Sequence, residues 1–127
     1  MIEPLLKPLL WVGSSKKDLL KMPDNVIDVM GYALHLAQRG LKHPQAKPLQ
    51  GIGSAGVLEV VEDDDDNTYR GVYTVQIKNV VFVLHCFNKK SHKGIATPRL
   101  DTDLILKRLR FAQQYSEGGQ NEHSKRH

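Results

Sequence analysis

Cysteine is nearly absent from this chain. Cys86 stands alone, so an internal disulfide is excluded, which fits a reducing compartment. Long apolar runs are missing too: none approaches the roughly 18 residues that a membrane-spanning helix needs, so no membrane role is expected. Residues 1 to 12 hold one early lysine and an internal Pro8. They lack the basic start and small-residue cleavage site of a secretory signal, and the expected location is the cytoplasm. Aromatic residues make up only 6% of the chain, which leaves few stacking platforms for base recognition. Acidic residues are absent from the whole stretch Asn67 to Leu100.

What is present fits a single globular domain. The 40% apolar and 25% charged fractions are ordinary for a folded protein, and 127 residues suffice for one core without staples. The domain is expected over residues 1–115. From Ser116 onward no core-forming residue occurs, and residues 116–127 are expected to form a disordered tail. The net charge of +4 understates the basic character, because six of the fourteen acids crowd between Glu59 and Asp66. In the acid-free stretch, Arg70, Lys78, Lys89, Lys90, Lys93 and Arg99 are all positive. That segregation points to a polyanion or an acidic protein as partner.

Along the chain, residues 5 to 12 read as an opening strand, irregular or at an edge around Pro8. Ser15-Lys16-Lys17-Asp18 resembles a capping box, and Leu19, Leu20 and Met22 follow, so a short helix fits until Pro23. From Asp24 to Arg39, Val26, Val29, Met30, Ala33, Leu34 and Ala37 form one stripe of an amphipathic helix, closed by Gly40. His35 and His43 near its end read as surface or helix-end histidines without a ligand role. Residues 41 to 56, rich in proline and glycine, read as a connecting loop. Val57 to Glu62 and Tyr69 to Ile77 form a hairpin around Asp63-Asp64-Asp65-Asp66-Asn67. Consecutive aspartates lack the spacing of a calcium loop, so this tip is read as a solvated turn with no metal.

Val80-Val81-Phe82-Val83-Leu84 is apolar at successive positions, as in a central strand covered on both faces, and leaves the core in Asn88-Lys89-Lys90-Ser91-His92-Lys93-Gly94. Lys78-Asn79 is a two-residue turn into it, so the flanking strands pair antiparallel. On the earlier strand, Arg70 shares a face with Val72, Thr74 and Gln76, and Tyr73, Val75 and Ile77 take the other. Pairing about the turn sets Arg70 beside Phe87 and Asn88, unless a bulge shifts the register. Thr97 then caps a closing helix with Pro98 as its first residue. Its apolar side is expected from Leu100, Leu104, Ile105, Leu109, Phe111 and Ala112, with Lys107, Arg108 and Arg110 outside. The sum is a compact α+β domain: strand, two helices, a mostly antiparallel three-strand meander and a C-terminal helix.

Lys47-Pro48-Leu49-Gln50-Gly51, Val57-Leu58-Glu59, Tyr69-Arg70-Gly71-Val72-Tyr73, Val83 to Ser91 and Gly94-Ile95-Ala96-Thr97-Pro98 together resemble the RelE/HigB toxin superfamily, in its phage-derived branch. The likeness runs over residues 9 to 112. It implies a RelE-like fold and a type II toxin: a metal-independent endoribonuclease without cofactor, cutting messenger RNA on the ribosome. A helix-turn-helix antitoxin would hold it inactive, in a toxin-antitoxin hetero-oligomer or beside a toxin homodimer. Two alternatives share the scaffold, a ParE-like toxin that binds gyrase and cuts nothing, and an inactive phage-derived regulator.

Cleavage without metal uses the ribose 2′-hydroxyl as nucleophile, so a base, an acid and cations around phosphorus are required. Arg70, whose planar fork grips two phosphate oxygens, is the first candidate for transition-state stabilisation. Lys89 and Lys90 match the family's basic pair, with one shifted in pKa by its neighbours, and His92 is the natural acid or base by intrinsic pKa. Lys47, Lys93 and Arg99 complete the set as RNA-binding residues. Glu59 reads as a structural partner of Arg70. Cys86 reads as an inert core thiol; His85, adjacent to it, points to the opposite face. Several family members carry a C-terminal tyrosine or histidine for stacking or proton transfer, but Tyr115 lies beyond the matched stretch.

Overall fold

The structure is a computed structural model that describes residues 6–53, 56–90 and 98–115. The tail 116–127, the expected cap Thr97 and the site candidates His92 and Lys93 lie outside the described residues. In chain order the elements are β1 (Leu9–Trp11), α1 (Ser15–Leu20), α2 (Asp24–Gln38), β2 (Ala46–Pro48), β3 (Val57–Asp64), β4 (Asn67–Ile77), β5 (Val80–Lys90) and α3 (Arg99–Gln114). They form one five-stranded sheet in the order β1-β5-β4-β3-β2. All neighbours are antiparallel except β1, which runs parallel to β5. The expected α+β architecture is present, with one strand more than the sequence suggested.

That strand is β2, inside the segment read as a loop. Ala46, Lys47 and Pro48 pair with Val60, Glu59 and Leu58. Three residues are too few to show alternation, and Pro48 is tolerated because β2 is an edge. The helix starts also shift. Ser14, not Ser15, caps α1, and its hydroxyl donates to Asp18 Oδ2 at 2.7 Å. Ser15 is buried inside the helix and donates to the Val83 carbonyl at 3.1 Å. In α3, Pro98 occupies the cap position and Arg99 is the first helical residue.

The sheet is covered on both sides. On one side, Val26, Met30, Ala33, Leu34 and Ala37 of α2 pack on Val60, Tyr73, Val81 and Val83. On the other, Ile105, Leu109 and Ala112 of α3 pack on Val57, Val72, Phe82 and Leu84. The unbroken apolar run of β5 is therefore read correctly as a strand buried on two faces. The apolar side of α3 is narrower than expected: Leu100 is 85% exposed and Phe111 is also exposed. Arg108, expected on the outside, is half-buried and donates from Nη1 to the Leu84 carbonyl at 2.8 Å. Gly71 lets α2 approach β4, since a Cβ there would meet Met30 Sδ at 2.7 Å.

The β4–β5 hairpin positions the site. Lys78 and Asn79 both have positive φ, 46° and 55°, the left-handed pair of a tight hairpin turn. Ile77 pairs with Val80, yet Thr74 pairs with Phe82 and Tyr73 with Val83, and then Val72 with His85. Two irregularities of opposite sense therefore cancel. Below them the ladder returns to the register set by the turn, and Arg70 pairs with Phe87. The first irregularity corrects one expectation: Ile77 packs with the α3-side cluster rather than with Tyr73 and Val75. The second makes Leu84 an extra residue in β5, and its carbonyl is the one that Arg108 takes up.

Candidate functional site

Beyond the Leu84 bulge, directly paired residues share a face of the sheet. Thr68 with Lys89, Arg70 with Phe87 and Val72 with His85 thus present their side chains to the α3 side. The neighbouring pairs carry that face across the sheet: Val61 lies opposite Arg70, Glu59 opposite Val72, and Lys47 opposite Glu59. One sheet face therefore collects Lys47, Glu59, Arg70, Phe87, Lys89 and His85.

Arg70 is the centre of this group. Its Nη1 donates to Glu59 Oε2 at 2.8 Å, and its side chain is only 16% exposed. Glu59 is buried, so its charge is met by a fixed partner rather than by water. Lys47 Nζ lies 3.9 Å from the other Glu59 oxygen and is 63% exposed. The structural pairing of Glu59 with Arg70 expected from the sequence is present. Arg70 Nε is buried without a hydrogen-bond partner among the described residues. One arm of the guanidinium is thus fixed in place, and the fork keeps its charge.

Lys89 is buried at the end of β5. Its pKa is pushed below the usual lysine range, first by that burial and then by the Arg70 guanidinium, with the Glu59 carboxylate opposing. A lysine so shifted gives up its proton more readily than an exposed one. The structure therefore brings Lys47, Arg70 and Lys89 around one buried carboxylate. It does not bring Arg99 there: that side chain is 93% exposed at the start of α3, with Asp103 3.9 Å away. The backbone of Lys90 continues β5 opposite Asn67, and its side chain lies outside the described residues, as do His92 and Lys93.

A family profile described as phage-derived protein Gp49-like matches residues 17–110. The chain belongs to this family. The phage-derived branch expected from the motifs is the branch the profile names. A comparison with curated protein sequences gives no match. Among solved structures, the chain is similar to one described as the toxin-antitoxin complex RelBE2 from Mycobacterium tuberculosis. That match has 16% identity and a TM-score of 0.45, over 70% of this chain and 98% of the other.

The Gp49-like profile ends before Tyr115, which packs against Phe82 in an edge-on contact at 5.9 Å. Cys86 is buried on the α2 side. Burial, reinforced by the Asp18 charge, pushes its thiol up to about 12, so it stays protonated and inert. Among the described residues no group of three or more His, Cys, Asp or Glu side chains is placed to hold a metal ion. None of the described helices is long and apolar enough to cross a membrane.

Sequence reasoning missed one pair. His85 Nε2 lies 2.7 Å from Asp101 Oδ1, and the His85 ring stacks on Phe87 at 4.5 Å with an interplanar angle of 16°. Counting alternate positions from Val80 puts His85 on the α2 side with Val81 and Val83. The bulge at Leu84 turns it to the α3 side instead, and composition gives no sign of a bulge.

Proposed function

We propose that this Gp49-like protein is the toxin of a type II toxin-antitoxin system and cleaves messenger RNA without a metal, on the ribosome, by attack of a ribose 2′-hydroxyl. The observation that carries this reading is the half-buried Arg70, fixed at 2.8 Å by Glu59 between Lys47 and the down-shifted Lys89. A metal-free phosphodiester cleavage needs positive charge already in place where negative charge develops, and a rigid guanidinium meets that need without reorganisation. Lys89 protonates the leaving 5′ oxygen, for which a lowered lysine pKa is suited. Lys47 holds a neighbouring phosphate from its exposed position on β2. Lys90 joins on the strength of the motif resemblance, His92 as a candidate acid or base by its intrinsic pKa, and Lys93 and Arg99 as further RNA-binding cations.

The partner that restrains the toxin is a small helix-turn-helix antitoxin, and both work in the cytoplasm. Expression followed by growth measurement and primer extension on cellular messages tests the reading. The expected result is growth arrest with cut messages, relieved by co-expression of a small helix-turn-helix protein encoded beside this chain, if the pair is present. Arrest with intact messages defeats it in favour of a target such as gyrase. Arg70→Ala should lower cleavage about 100-fold or more while still binding antitoxin; full cleavage by a folded Arg70→Ala protein removes Arg70 from the mechanism.

A further inference from the structure

Resting on the ribonuclease reading, we propose that Asp101 is the base that takes the proton of the ribose 2′-hydroxyl, with His85 as its positioning residue. Among the described residues, Lys47, Arg70 and Lys89 supply an acid and an anion clamp, and Glu59 beside them is already engaged by Arg70; His92, the acid or base candidate of the sequence, lies outside the described residues. Asp101 sits in the first turn of α3, 28% exposed, with Oδ1 held by His85 Nε2 at 2.7 Å. With its proton on Nε2 the ring donates to that oxygen, and the second carboxylate oxygen remains for a ligand.

His85 cannot act on substrate itself. It is buried, and its Nδ1 is enclosed without a hydrogen-bond partner among the described residues. Its ring is fixed by stacking on Phe87, so its function is to aim the carboxylate. The helix that carries Asp101 is itself anchored, through Ile105 one turn on and through Arg108 bonded to the bulged Leu84.

Placement on β5 supports the assignment. His85, Phe87 and Lys89 are alternate residues on one face, spaced by roughly 6.6 Å per pair of residues along a strand. Phe87 is the residue paired with Arg70. The register therefore sets His85, with its carboxylate partner, and Lys89 on the two sides of the residue that pairs with Arg70. Asp101 takes the 2′-hydroxyl proton, the 2′ oxygen bonds to phosphorus, the bond from phosphorus to the 5′ oxygen breaks, and Lys89 protonates that oxygen. The products are a 2′,3′-cyclic phosphate and a 5′-hydroxyl end.

The alternative is that the pair merely ties α3 to β5. Asp101→Asn keeps an acceptor for His85 and so keeps the tie while abolishing the base. Cleavage by Asp101→Asn should fall about 100-fold or more, with unchanged thermal midpoint and unchanged affinity for a fully 2′-O-methylated oligoribonucleotide. Formate should restore part of the lost rate in Asp101→Ala, as a small carboxylate enters the vacated place. His85→Gln, which still donates, should retain more activity than His85→Phe. Asp101→Asn cleaving at the wild-type rate, or Asp101→Ala without response to formate, overturns the assignment. Wild-type protein that leaves both free and ribosome-bound RNA intact defeats the ribonuclease reading itself, and the assignment with it.

Discussion

Arg70 and Glu59 join a structural ion pair to the proposed site, so removing either should change both stability and the proposed cleavage. Arg70→Ala strands a buried carboxylate, at a cost of about 3 to 5 kcal/mol. Deleting both charges removes that penalty. Urea unfolding should therefore show Glu59→Ala/Arg70→Ala more stable than Arg70→Ala, although cleavage stays lost in both. A double variant as unstable as the single one would mean that Glu59 is satisfied without Arg70. Lys89 makes a separate prediction through pH. Its folded pKa lies below the ordinary value of 10.5, so over the interval between the two the unfolded chain binds more protons. The Lys89 contribution to stability must then rise with pH across that interval. Tyr73 and Cys86 act in the opposite sense: burial raises each to about 12, and their contribution falls as the unfolded chain ionises. The Lys89 effect is isolated as a difference, wild type minus Lys89→Met, in thermal midpoints from pH 8 upward; a difference that does not grow with pH contradicts the shift.

At the scale of elements, the meeting of α2 with β4 is set by one missing side chain. A methyl group at Gly71 would stand 2.7 Å from Met30 Sδ, and overpacking a core in this way costs about 1 to 3 kcal/mol. Gly71→Ala should lose that much by chemical unfolding, and Met30→Ala should cost less in the Gly71→Ala background than alone. Equal costs would show that the helix moves away freely. Most elements could be read from pattern: the α2 stripe, the doubly buried β5 and the two-residue turn each follow from residue spacing. What escaped has a physical reason. The bulge at Leu84 leaves no mark in composition, yet it decides the face of His85. The partner of His85 lies on a helix that tertiary packing alone brings near. Arg108 looked like a solvent-facing charge because the carbonyl it satisfies exists only through that bulge. The Arg70–Phe87 pairing was legible nonetheless, since the two irregularities above it cancel.

Across the whole molecule, charge of opposite sign is placed in adjacent zones rather than mixed. The β3–β4 tip carries Asp63, Asp64, Asp65 and Asp66, and it adjoins the cationic end of β5, where Asn67 pairs with Lys90 and Thr68 with Lys89. The tip is tied down: Thr68 donates to Asp63 at 2.8 Å, and Asn25 at the start of α2 donates to Asp64 at 2.9 Å. Asp65 and Asp66 are exposed, and Asp65 has φ 57°, a conformation that asparagine also tolerates. Under the proposed ribonuclease reading, a polyanion on the Arg70 face would meet a negative boundary at this end and be directed along the sheet towards Lys47. Asp65→Asn/Asp66→Asn removes part of that boundary without touching the cluster or the fold. RNA should then bind a few-fold more tightly at low ionic strength. The gain should shrink towards nothing near 1 M salt, where the Debye length falls to about 3 Å. Cleavage of saturating RNA should be unchanged, since the tip acts on approach and not on the reacting phosphate. An affinity gain that survives high salt would place Asp65 or Asp66 in direct contact with the RNA.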